Sequence, residues 1–105
     1  MDIMMALNME AMEASASQAV KLLKALANER RLFILCYLLD KELSVGEMNQ
    51  HLGLSQSALS QHLALLRNDD LVCTRKEAQT VYYSLKSEEV REVIALLHKL
   101  YCRDV

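Results

Sequence analysis

The sequence predicts a mainly α-helical domain with one small β-hairpin, in the order α-α-α-α-β-β-α. Three observations carry that reading. The 105 residues include no proline and only two glycines, Gly46 and Gly53, which favours long helices over irregular loops. Residues 44–68 read as two short helices around "HLGLS", a glycine turn followed by a serine cap, which is the helix-turn-helix pattern. Residues 71–85 then switch to β-branched and aromatic residues, "LVCTRKE" and "TVYYSL", the two strands of a hairpin wing.

The first helix is expected from about Met9 to Ala27, where Ala16, Ala19, Val20, Leu23 and Leu26 recur at helical spacing. Asn28 suits the N-cap of a second helix, about Glu29 to Leu39, which is apolar on nearly every side and therefore buried. In "SVGE", Ser44 and Glu47 form a capping box that opens a third helix running to His51 or Leu52. Ser55 caps a fourth helix that extends to about Asn68. The hairpin loop falls near Glu77 to Gln79. Ser87, Glu88 and Glu89 start the last helix, their acidic groups suited to the positive end of its dipole. Along it, Val90, Val93, Ile94, Leu97, Leu100 and Tyr101 form one apolar stripe.

No repeat, linker or low-complexity tract divides the chain, so residues 1–105 read as a single domain. A core this small is often completed by a second copy. The expected assembly is a homodimer through the first and last helices, with Val93, Ile94, Leu97 and Tyr101 in the interface. The N-terminus is apolar, but Asp2 and Glu10 sit where a secretion signal needs positive charge, and no stretch is long enough to span a membrane. Three widely separated cysteines do not resemble a secreted disulfide framework. The expected location is cytoplasmic, with no membrane partner and no cofactor.

The formal charge of −2 does not announce a nucleic-acid partner. Its distribution says more. Residues 54–86 carry Arg67, Arg75, Lys76 and Lys86 against Asp69, Asp70 and Glu77, so four minus three leaves +1. On the fourth helix, Ala58, Leu59, His62, Leu63 and Leu66 share one side, and His62 reads as a core-edge residue bonded to nearby backbone. Gln56, Ser57, Ser60, Gln61, Ala64 and Arg67 share the other. A merely solvated face would favour Glu and Lys, which are better helix formers. Short, uncharged donors and acceptors instead suit the edges of bases in a major groove, with Arg67 reaching a phosphate or guanine. Arg75 and Lys76, near the hairpin tip, suit a wing that straddles phosphates or enters the minor groove. Tyr82 and Tyr83 alternate across their strand, and one of them is expected in the core. The implied partner is a two-fold-symmetric double-stranded DNA operator.

The stretches "LLKALANERRLFIL", "ELSVGEM", "LGLSQSALSQHLALLR", "NDDLV" and "RKEAQTVYYSL", followed by "LLHKLYC", resemble the ArsR/SmtB family of dimeric winged-helix transcription regulators. The resemblance spans nearly the whole chain; Asp70 stands where the family usually has glycine. Many members sense metals. One family metal site is a "CVC" at the start of the third helix, and here Ser44 and Gly46 occupy the two thiol positions. The other needs paired Asp and His ligands on the last helix, which offers His98 with scattered glutamates. Neither place supplies the three or four convergent ligands that zinc needs, so no metal site is expected.

The resemblance is instead to the two-cysteine members of the family, which respond to oxidants or reactive sulfur. It implies that Cys36, within "ILC", and Cys102, within "LYC", are the sensing thiols, although 102 − 36 = 66 residues separate them. The fold would set the second and last helices side by side, and a bridge between the thiols would switch operator affinity. Cys73 has no counterpart in that pattern and reads as a simple strand residue. Other functions compete: a winged helix used only for protein–protein contact, which would leave the polar fourth helix unexplained; a metal-responsive repressor with an unusual site; and a thiol oxidoreductase. No CxxC, no His or Lys adjacent to either thiol and no glycine-rich cofactor loop supports the oxidoreductase.

Overall fold

A computed structural model of the chain describes residues 8–102; the expected absence of an N-terminal signal rests partly on residues outside that range. Helix α1 (Met9–Leu26) is followed by α2 (Glu29–Tyr37), a two-residue strand β1 (Leu43–Ser44), α3 (Val45–Leu52), α4 (Gln56–Asn68), β2 (Val72–Glu77), β3 (Thr80–Leu85) and α5 (Glu88–Tyr101). The winged-helix order anticipated from the sequence is the order found, with one addition. β1 pairs with β3 (Leu43↔Tyr83, Ser44↔Tyr82), so the hairpin becomes a three-stranded antiparallel sheet of order β1-β3-β2.

The helix starts follow the sequence signals. Asn28 accepts from the Arg31 amide, Ser55 from Ala58 and Ser87 from Val90. The capping box of α3 is complete: Glu47 N–H donates to Ser44 Oγ at 3.2 Å, and Ser44 N–H donates to Glu47 Oε1 at 2.9 Å. Each such cap satisfies backbone donors that the helix cannot, at about 1 kcal/mol apiece. Gly53 ends α3 at φ 66°, a left-handed conformation that glycine adopts without steric penalty. α4 ends in a Schellman motif: Leu71 N–H donates to the Leu66 carbonyl at 2.9 Å and Asp70 N–H to that of Arg67 at 3.1 Å. The residue at the left-handed position is Asp70, φ 62°. This explains the family's usual glycine there; a short polar side chain is a tolerated substitute.

The core gathers Ile34, Leu35 and Leu38 of α2, Met48 of α3, and Leu59, Leu63 and Leu66 of α4. Leu43, Leu71, Val72 and Leu85 close it from the sheet side, and Val90 and Ile94 from α5. α1 contributes its C-terminal end, with Ala25 and Leu26 buried and Leu22 packed half-buried against the core. Arg31 fastens that end, donating through Nε to the Ala25 carbonyl (2.7 Å) and through Nη2 to that of Lys24 (3.2 Å).

Three expectations need correction. α2 is not buried all round: Phe33 is 41% exposed, because only one side of the helix meets α3, α4 and α5. The apolar stripe of α5 is divided between the chain's own core and solvent. Ile94 is fully buried in the chain's own core and cannot meet a second copy, and Val93 and Leu97 pack half-buried against that core, whereas Leu100 and Tyr101 remain exposed, as does Leu96 beside the stripe. His62 does lie at the core edge, but among the described residues its ring makes no hydrogen bond to backbone.

Candidate nucleic-acid interface and thiol pair

α4 presents the two faces that its periodicity predicts. Leu59, Leu63 and Leu66 are buried, while Gln56, Ser57, Ser60, Gln61, Ala64 and Arg67 are all exposed. The first turn of α4 contains no acidic residue, so the partial positive charge of the helix N-terminus is left unneutralised, and Arg67 adds a full charge at the other end. Beside this face an open groove of about 500 Å³ runs toward the sheet, lined by Ser60, Ala64, Arg67, Asn68, Asp70 and Tyr83. Tyr83 is the residue of its pair that packs against the core, half-buried, with part of its surface on that groove.

In the wing, Arg75 and Lys76 are both exposed and, as successive strand residues, point to opposite faces. Arg75 lies opposite Tyr82, with its guanidinium 4.8 Å from the ring centroid. It is also held by two carboxylates. Its Nε donates to Glu42 at 3.1 Å and its Nη1 to Glu77 at 3.0 Å. The Arg75 hydrogen bond holds the Glu42 carboxyl below the usual carboxylate range. Glu42 was not singled out from the sequence, because the strand that carries it beside the hairpin is too short to show alternation.

Cys36 lies on α2, half-buried against the core, and Cys102 caps the end of α5, also half-buried, its N–H bonded to the His98 carbonyl at 2.8 Å. α2 and α5 pack together, and Arg91 of α5 donates to the Leu39 carbonyl just past the end of α2. Burial pushes the Cys36 thiol pKa up, and the proximity of Cys102 pushes it further. The fold therefore packs together the two helices that carry these distant positions. Cys73 is apart from them, on β2, its sulfur 3.4 Å from the hydroxyl of Ser84 across the ladder. All three cysteines are free. Among the described residues no three His, Cys, Asp or Glu side chains converge to hold a metal, and no helix is long and apolar enough to cross a membrane.

Residues 28–74 match the family model described as bacterial regulatory protein, arsR family. Over 97 residues, 92% of this chain and 90% of the relative, the sequence is 66% identical to the transcriptional activator HlyU of Vibrio cholerae. The chain belongs to the ArsR family. This ArsR-family chain is also 36% identical over 93 residues to the biofilm growth-associated repressor of Xylella fastidiosa, covering 89% of the chain and 82% of the repressor. Among solved structures it resembles reduced HlyU from Vibrio cholerae, with a TM-score of 0.86 and 67% identity over 90% of this chain and 99% of that one. These relatives are named as regulators rather than enzymes, and the ArsR-family fold accounts for the helix-turn-helix and wing together. The chain is a DNA-binding transcription regulator of that family.

Proposed function

We propose that this regulator binds a two-fold-symmetric operator as a homodimer, and that a bridge between Cys36 and Cys102 switches its affinity. The packing of α2, which carries Cys36, on α5, whose end Cys102 caps, is the observation that carries the switch; it brings together helices whose cysteines lie 66 residues apart in sequence (102 − 36). In this reading Gln56, Ser57, Ser60 and Gln61 read base edges, and Arg67, Arg75 and Lys76 neutralise phosphates. The dimer forms through the exposed side of α5, Leu96, Leu100 and Tyr101, together with α1, whose Val20 and Leu23 are exposed. Burial of apolar side chains that a lone chain leaves in water supports that assembly.

The raised pKa keeps Cys36 protonated and unreactive toward weak electrophiles at neutral pH. A persulfide donor transfers one sulfur to a thiol. The other cysteine's thiolate then attacks the inner sulfur of the persulfide, forming the disulfide and expelling hydrosulfide. The bridge ties α2 to the end of α5, and movement of α5 re-aims the two recognition helices about the dimer axis. The description of the Vibrio cholerae structure as reduced supports a redox-dependent reading. Peptide mapping after persulfide treatment tests the pairing. A Cys36–Cys102 linked peptide is the expected product, and a link through Cys73, or none, would overturn it.

A further inference from the structure

The two wing cations differ in availability. Among the described residues Lys76 makes no ion pair, whereas Arg75 is fully engaged. Its Nε donates to both oxygens of Glu42 at 3.1 and 3.3 Å, its Nη2 donates to Glu42 again, and its Nη1 donates to Glu77. The Tyr82 ring supports the guanidinium from beneath. Sheet register makes this arrangement specific. Tyr82 on the central strand pairs with Ser44 on one side and with Arg75 on the other, so Glu42, just before β1, reaches across β3 to the arginine.

A carboxylate offers a guanidinium fork the same charge and paired acceptors that a phosphate offers. We propose that Glu42 is an internal phosphate mimic that occupies Arg75 in the free wing, so that DNA must take the arginine from it, and that Glu42 thereby sets operator affinity. This rests on the DNA-binding reading above. Glu42 side-chain exposure of 37% and Arg75 exposure of 48% allow the exchange without opening the core. Glu77 makes a single contact and is more exposed, so its hold is weaker.

The test uses a duplex selected by the wild-type protein from a randomised pool, with dissociation constants measured over a range of salt. Glu42→Gln should bind about two- to fivefold tighter, the range expected for releasing one exposed ion pair. Arg75→Gln should bind more weakly and lose about one unit of the salt slope. Glu77→Gln should gain less than Glu42→Gln. In the double variant the gain from Glu42→Gln should vanish, because there is no arginine left to release. Thermal melts check that each variant is folded. Unchanged or weaker binding by Glu42→Gln overturns the proposal, as does an unchanged salt slope in Arg75→Gln. A gain that persists without Arg75 also overturns it, since it would reflect only the removal of negative charge near DNA. Failure of the wild type to select any duplex would defeat the DNA-binding reading itself, and this inference with it.

Discussion

Asp70 and Ala78 both adopt positive φ, 62° and 55°, where a side chain with a β-carbon is strained. Asp70 has a polar side chain and an ion pair with Lys86 at 3.3 Å in partial compensation; Ala78, at the hairpin tip, has neither. Ala78→Gly should therefore stabilise the fold by about 1 kcal/mol, read as a higher melting temperature, and an unchanged or lower value would show that the turn is unstrained. His62 supplies a pH signature. Burial, then the positive charges of Arg31 and Arg30, hold its pKa below the ordinary imidazole value. Its folded pKa is depressed, so its favourable contribution is present above about 6.5 and is lost as pH falls through the lowered value. His62→Gln should flatten the dependence of melting temperature on pH below that point. Parallel curves for the variant and the wild type would contradict the assignment.

Among the elements, α4 ties local sequence to the face proposed to read DNA most directly. Ser55 sets where the helix starts, and that start decides which side chains face outward. Ser55→Ala should cost about 1 kcal/mol of stability through the lost cap. Gln61→Ala, on an exposed position, should leave stability and assembly unchanged yet weaken operator binding by about 1–3 kcal/mol. Equal affinity in alanine variants of Gln56, Ser57, Ser60 and Gln61 would remove α4 from the interface. α5 shows the limit of periodicity. Its stripe was legible as apolar, but one stripe cannot say which members face the chain's own core; tertiary packing took Val90 and Ile94, half-buried Val93 and Leu97, and left Leu100 and Tyr101 exposed. Leu100→Glu should therefore convert a dimer to monomers in sedimentation, with its helical circular dichroism retained. Persistence of the dimer would place the interface elsewhere.

For the whole molecule, the helix-turn-helix and hairpin were legible because caps, a turn glycine and a change of period are local signals. β1 was not, because two residues carry no alternation and their strand character comes from pairing with Tyr82 and Tyr83. The same non-local pairing hid Glu42, and the Arg91 bond to the end of α2 was equally invisible from spacing alone. The thiol pair was suggested by resemblance, and its proximity comes from the packing of α2 on α5. If that packing transmits a bridge to paired recognition helices roughly 34 Å apart, one helical turn of DNA, the switch must depend on both thiols and not on the third. Mobility shifts of Cys36→Ser, Cys102→Ser and Cys73→Ser on the selected duplex, with and without a persulfide donor, measure this directly. The first two should bind DNA and remain bound when the donor is added, while Cys73→Ser should be released as the wild type is. Release of either Cys36→Ser or Cys102→Ser would contradict the switch.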